Sequence, residues 1–295
     1  MDTTRAVSEP LRRIIDHHNA FNRRVKLLYG SLNKVMSDGL GNDVAVALPY
    51  GDEPWGEPKQ WSSSTDGDAA VELLAELGIV RAASAFEDFL QGVIAELDRA
   101  GISAPAQTKA DLIERVLVRL SIASSDRPSL DLVRFFDCAR NCIVHQMGRA
   151  NAELVDLSVE KGLADVLASS TPRAKAKWKP AIPATSLGKP VSWRPRHAIL
   201  ASDAYYKAAV AIDQRMLSVL GDGRIVAMAS YWAVAAPIPV VEARSSHIAT
   251  LRTALNDRYR VKVKATEIGP LLKSVGRWEN AKVSFHDRNP KRPID

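Results

Sequence analysis

Arg140, Asn141 and His145 fall within six positions of one another in the stretch FFDCARNCIVHQMGRAN, residues 135 to 151. Histidine is the side chain best suited to moving protons near neutrality, and an arginine beside it can hold a phosphate in a fixed planar geometry. Together they suit phosphodiester chemistry. On a helix each residue turns by about 100°, so Asn141 and His145 share a face, while Arg140 lies roughly 140° from His145 and must reach around on its long stem. The same residues also fit ordinary structure: an ion pair from Arg140 to an acid such as Asp137, and a hydrogen bond from His145 near a helix C-terminus, where positive charge is favoured.

Cys138, Cys142 and His145 stand at i, i+4 and i+7 of the same stretch. Seven residues of helix rise about 10.5 Å, too far for the outer pair to share one tetrahedral ion. No metal site is expected here, and no cofactor is implied. Small buried thiols are the plainer account of the cysteines. Four residues apart on one helix, they do not form a disulfide framework. His17 and His18 have no matching cluster of ligands and read as an exposed or half-buried pair.

Elements that position these residues are mostly helical. Apolar residues at spacings of three and four predict helices over 10–37, 68–101, 108–121, 128–148 and 202–221. Gly78 and Gly92 are weak points in the second of these, and Gly101, Gly148 and Gly221 suit helix termini. Residues 38–67 are rich in Gly, Pro, Asp and Ser and read as an irregular excursion with a short strand at VAVAL. The pattern breaks again over 149–197, where β-type residues at AELVDLSV and a linker RAKAKWKPAIPA predict a loop or small hairpin. The remainder, 222–295, mixes a strand-like apolar run, a helix near 244–259 and a short strand at VKVKA. The expectation is a mainly α chain: an up-and-down helical bundle over 1–221 with irregular insertions at about 38–67 and 149–197, followed by a small mixed α/β appendage over 222–295. No internal repeat is evident.

At 295 residues and 46% hydrophobic content the chain can bury a sizeable core. The longest apolar run, IVAMASYWAVAAPIPVV over 225–241, is short and carries two prolines, which excludes a membrane span. No membrane partner is expected, and a reducing cytoplasm fits the cysteines. Charge is uneven: 12 Lys and Arg stand against 6 Asp and Glu from 241 onward, so the whole net charge of +6 lies there. Such a tail either contacts a polyanion or solubilises the chain. Within it, RYRVKVKA (258–265) alternates in strand fashion, which sets Arg258, Arg260, Lys262 and Lys264 toward RNA or makes a solvated edge strand. Trp178 and Trp193, interleaved with Lys175, Lys177, Lys179, Arg194 and Arg196, either stack on bases while the cations track phosphates or anchor loops in the core.

The run RNCIVH, followed by Gly148 and placed on the fourth helix, resembles the R-N-x-x-x-H signature of the HEPN superfamily (higher eukaryotes and prokaryotes nucleotide-binding). ASAFEDFLQGVIAEL resembles the HEPN helix that carries an acidic residue, here Glu87. ASDAYYKAAVAIDQRML is similar to the closing helix of larger members such as the RiboL-PSP-HEPN group. The likeness covers roughly 10–220. It implies metal-independent cleavage of RNA, tRNA or mRNA, with the ribose 2′-OH as internal nucleophile and a 2′,3′-cyclic phosphate as product. His145 would be the general acid/base, Arg140 would bind the scissile phosphate, Asn141 would orient the phosphate or the histidine, and Glu87 would support the site. It also implies a homodimer with a composite cleft, a role as a toxin or anti-phage effector, and control by an antitoxin or a phage trigger. Some HEPN toxins carry a Tyr two residues after the histidine that a partner enzyme modifies; here that position is Met147. Other members are catalytically silent modules that bind nucleotide or protein, which is the alternative.

Overall fold

The computed structural model describes residues 6–39, 64–102, 111–122, 130–169, 180–239 and 241–292. The chain is mainly α, as expected. Its helices are α1 (Glu9–Gly39), α2 (Ser64–Arg99), α3 (Leu112–Arg119), α4 (Asp131–His145), α5 (Ala152–Ser158), α6 (Lys161–Ser169), α7 (Pro195–Ser230), α8 (His247–Tyr259), α9 (Ala265–Ser274) and α10 (Trp278–Arg288), with a π-helical turn at Tyr231–Ala235 after α7. No strand forms among the described residues. An isolated antiparallel bridge joins Arg149 and Pro190 in the segment where a loop or small hairpin was expected.

Two compact units are formed from interleaved segments: one from 1–15, 86–128 and 209–295, the other from 16–85 and 129–208. The basic C-terminal segment is grouped with 86–128 and the start of the chain.

The second unit is built on Phe21, Val25, Val71, Ile79, Phe135, Phe136, Leu154 and Trp193, each buried. Spacings of three and four along α2 and α4 place these residues on one side of each helix. The buried side of α1 ends at Val25, and Leu28, one turn further on, is 50% exposed. Gly78 does not break α2. It is a contact point, where an added Cβ would lie 2.8 Å from Ala198 Cβ and 3.3 Å from the Phe21 ring, so only glycine lets the helices approach this closely. AELVDLSV is helix, not strand. Asn151 decides this by accepting the Leu154 N–H at 2.8 Å as the N-cap of α5.

In the first unit, Leu11, Phe89, Val93, Leu97, Leu117, Ile212, Leu251, Tyr259 and Phe285 are buried. Asp111 caps α3, accepting the Glu114 N–H at 2.7 Å. Gly221, with φ 64 and ψ 171, divides α7 into two helical stretches. The helix resumes, so the apolar run after 225 is helical and passes into the π turn before Pro237. Its center is polar. Glu96, fully buried, accepts from Trp232 Nε1 at 3.1 Å, from Tyr259 Oη at 2.7 Å and from the Arg258 guanidinium. Burial, then Glu96, raises the Tyr259 pKa well above its ordinary value. Asp213 is also buried and accepts from Ser8. Burial holds its carboxyl at about 6, above the usual carboxylate range, with the Ser8 hydrogen bonds opposing the shift.

Candidate active site

The signature residues close α4 in the second unit. Phe135, Phe136, Ala139 and Cys142 sink one face of the helix into the core, which leaves Asn141 and His145 on the exposed face and Arg140 half-buried at its margin. Arg140 Nη1 donates to Asn141 Oδ1 at 3.0 Å. That bond orients the guanidinium. His145 is the last residue of the helix, where four carbonyls lack helical partners and a cation is favoured.

Beyond His145 the chain turns back tightly. The Gln146 and Gly148 N–H groups both donate to Cys142 O, at 2.9 and 3.1 Å. Met147 and Gly148 take left-handed conformations with φ 53 and 73. Met147, non-glycine in that region, is 91% exposed. Gly148 is buried and tied down: Val191 N–H donates to its carbonyl at 3.1 Å, and Ala150 exchanges backbone bonds with Lys189 and Gly188. The end of α4 is thus fixed by its exit.

A carboxylate that the sequence did not single out lies here. Glu76 of α2 packs so closely on Gly148 that an added Cβ would stand 2.7 Å from its Oε1. Burial, then the charge of Glu72 one turn earlier, raises the Glu76 pKa. Only tertiary packing relates Glu76 to position 148. Glu87, the acidic residue expected at the site, is half-buried and belongs to the first unit.

Cys138 and Cys142 are free and buried. Burial, then Glu153, pushes the Cys138 thiol up to about 12, which makes it an inert core group. Trp193 is fully buried, its ring centroid 6.3 Å from that of Phe135. It anchors its loop and offers no face for a base. Lys175, Lys177, Trp178 and Lys179 lie outside the described residues. His18 is buried, against expectation, with Nδ1 3.0 Å from Ser202 Oγ and its ring stacked on Tyr206 at 4.6 Å.

In the tail, the expected row of cations is partly corrected. Arg258 is 9% exposed and faces inward, with Nε 3.2 Å from Glu96 Oε1, Nη1 3.5 Å from Glu9 Oε2 and its guanidinium 3.9 Å from the Trp232 ring centroid. The reason is register: 258 still belongs to α8, and the chain leaves the helix only at Arg260, which is left-handed at φ 55. From there the expected alternation holds without a paired strand. Arg260, Lys262 and Lys264 are exposed, while Val261 and Val263 are buried. Lys262 also lines a groove of about 690 Å³ together with Arg244 and Arg252.

No helix among the described residues is long and apolar enough to cross a membrane. The chain matches no family model, no curated protein and no solved structure.

Proposed function

We propose that the protein is a metal-independent endoribonuclease in which His145 is the general acid/base and Arg140 holds the scissile phosphate. The observation that carries this reading is the end of α4. An exposed histidine terminates a helix whose preceding turn presents a half-buried arginine oriented by Asn141. His145 would take the proton of the ribose 2′-OH as its oxygen attacks phosphorus. The 5′-oxygen leaves with a proton, and the product ends in a 2′,3′-cyclic phosphate. Arg140 would stabilise the charge that builds on the phosphate oxygens. Glu76, against Gly148, is a further acidic side chain that we assign to support this site, beside the expected Glu87.

Dimerisation would complete the cleft. Leu73 and Leu77 on α2, Val144 on α4 and Met147 just beyond it are 50% or more exposed, apolar area suited to cover by a second copy. The groove of Arg244, Arg252 and Lys262, with Arg260 and Lys264 nearby in sequence, would hold RNA through its phosphates. A role in defence or as a toxin, acting in the cytoplasm under an antitoxin or trigger, follows from the same reading.

The test is incubation of wild type, Arg140→Ala and His145→Ala with total tRNA and a structured RNA in EDTA, followed by end-group analysis. Cyclic phosphate ends from wild type alone are expected. Cleavage that needs an added divalent ion, or that survives His145→Ala, overturns the mechanism. Binding without cleavage by all three proteins favours a catalytically silent module.

A further inference from the structure

We propose that a cavity of about 240 Å³ in the first unit, lined by Arg99, Arg224 and Arg277, binds a nucleotide through its phosphate monoester. No Asp or Glu lines the cavity, and among the described residues none of the three arginines forms an ion pair. Guanidinium stays protonated throughout the physiological range, so the site carries three uncompensated positive charges. A phosphate monoester brings nearly two negative charges and offers oxygens in the geometry that a guanidinium fork matches.

The rest of the wall selects the body of the ligand. Met228, Val234 and Val275 are apolar, and Tyr231 adds an aromatic ring on which a base can stack. The volume lies just below the usual range for small-molecule sites, roughly 300–1,000 Å³, which limits the occupant to about one nucleotide.

The cavity is also built in advance. Arg99 Nη1 donates to Ala95 O at 3.2 Å, and its guanidinium lies 4.3 Å from the Trp232 ring centroid and 5.3 Å from that of Tyr231. Ring faces orient an arginine without cancelling its charge. Tyr231 and Val234 enter the wall from the π-helical turn, a distortion that recurs at functional sites. Gly223 lets α7 approach the α9–α10 turn closely: an added Cβ there would lie 2.8 Å from Val275 Cγ1.

A free mononucleotide and the 5′-phosphorylated end of a strand present the same chemistry. Calorimetric titration of the full chain with AMP, adenosine, and a deoxytrinucleotide with and without a 5′-phosphate separates them, and the deoxy strand has no 2′-OH to be cleaved. The phosphorylated ligands should bind at least about tenfold more tightly than their unphosphorylated counterparts. Arg224 and Arg277 are exposed, so Arg224→Ala and Arg277→Ala should fold normally by circular dichroism and each weaken binding about tenfold. The trinucleotide binding more tightly than AMP identifies a strand end; equal or weaker binding identifies a free nucleotide. The site is independent of the ribonuclease reading, so His145→Ala should bind like wild type. Failure of both phosphorylated ligands to bind at millimolar concentration, full binding by both arginine variants, or loss of binding in His145→Ala overturns the proposal.

Discussion

Glu96 on α2 and Arg258 on α8, 162 residues apart in the chain, form a buried pair in which Arg258 Nε donates to Glu96 Oε1 at 3.2 Å. Trp232 and Tyr259 donate to the same carboxylate, and Glu9 approaches the other side of the guanidinium. Removing one partner strands the other's charge away from water. Arg258→Ala should therefore cost about 3–5 kcal/mol, and Tyr259→Phe about 1–3 kcal/mol, since Glu96 Oε2 would lose a buried donor. Urea denaturation measures both. A loss below about 1 kcal/mol for Arg258→Ala would mean that water reaches the pair.

Asp213 gives a pH signature of opposite sign to that of an ordinary salt-bridged carboxylate. Its folded pKa, about 6, lies above the reference value of 3.8, so the folded state holds a proton that the unfolded chain has released. Stability from this group is full below the reference value and declines as pH rises through about 6, by roughly 3 kcal/mol in all. Asp213→Asn should flatten that part of the stability profile between pH 4 and 6.5. An unchanged profile in the variant would assign the pH dependence to other groups.

Gly148 combines a left-handed backbone with a neighbour that leaves no space for a side chain. Gly148→Ala should lose about 1–2 kcal/mol from conformation alone and more from the approach of Glu76. In a Glu76→Ala background the second part should disappear while the first remains, giving a coupling of about 0.5–3 kcal/mol in a double-mutant cycle. Simple additivity would show that the two sites do not touch in solution.

His145 is exposed and Arg140 half-buried at the edge of α4. His145→Ala should change stability by no more than about 0.5 kcal/mol. RNA cleavage should nevertheless fall by about 100-fold or more, because proton transfer by a placed side chain contributes on that scale. A variant that loses activity only in proportion to its folded fraction would give His145 a structural role.

Helical periodicity made α1, α2, α4 and α7 legible, and Gly148 and Gly221 marked real breaks in helical conformation. Strands were misread where apolar β-type residues were taken for sheet. In 152–158 the cap at Asn151 settles helix, and after Ile225 burial on all sides suits helix as well as strand. Arg258 illustrates a different limit. Its alternation with Arg260 and Lys262 is plain in the sequence, but its partners are Glu9 and Glu96, whose proximity only the fold creates. The same holds for Glu76, which reaches position 148 through packing of α2.

The pairing of two buried thiols with an exposed thioether decides how this chain meets an oxidant. Cys138, with its thiol held at about 12 and buried, presents almost no thiolate to peroxide or to alkylating reagents. Met147, two residues after His145 and almost wholly exposed, is open to conversion to its sulfoxide, a reversible change that makes this side chain polar and chiral. Among the described residues, oxidative damage would therefore be written on the rim of the candidate active site before the core beneath it.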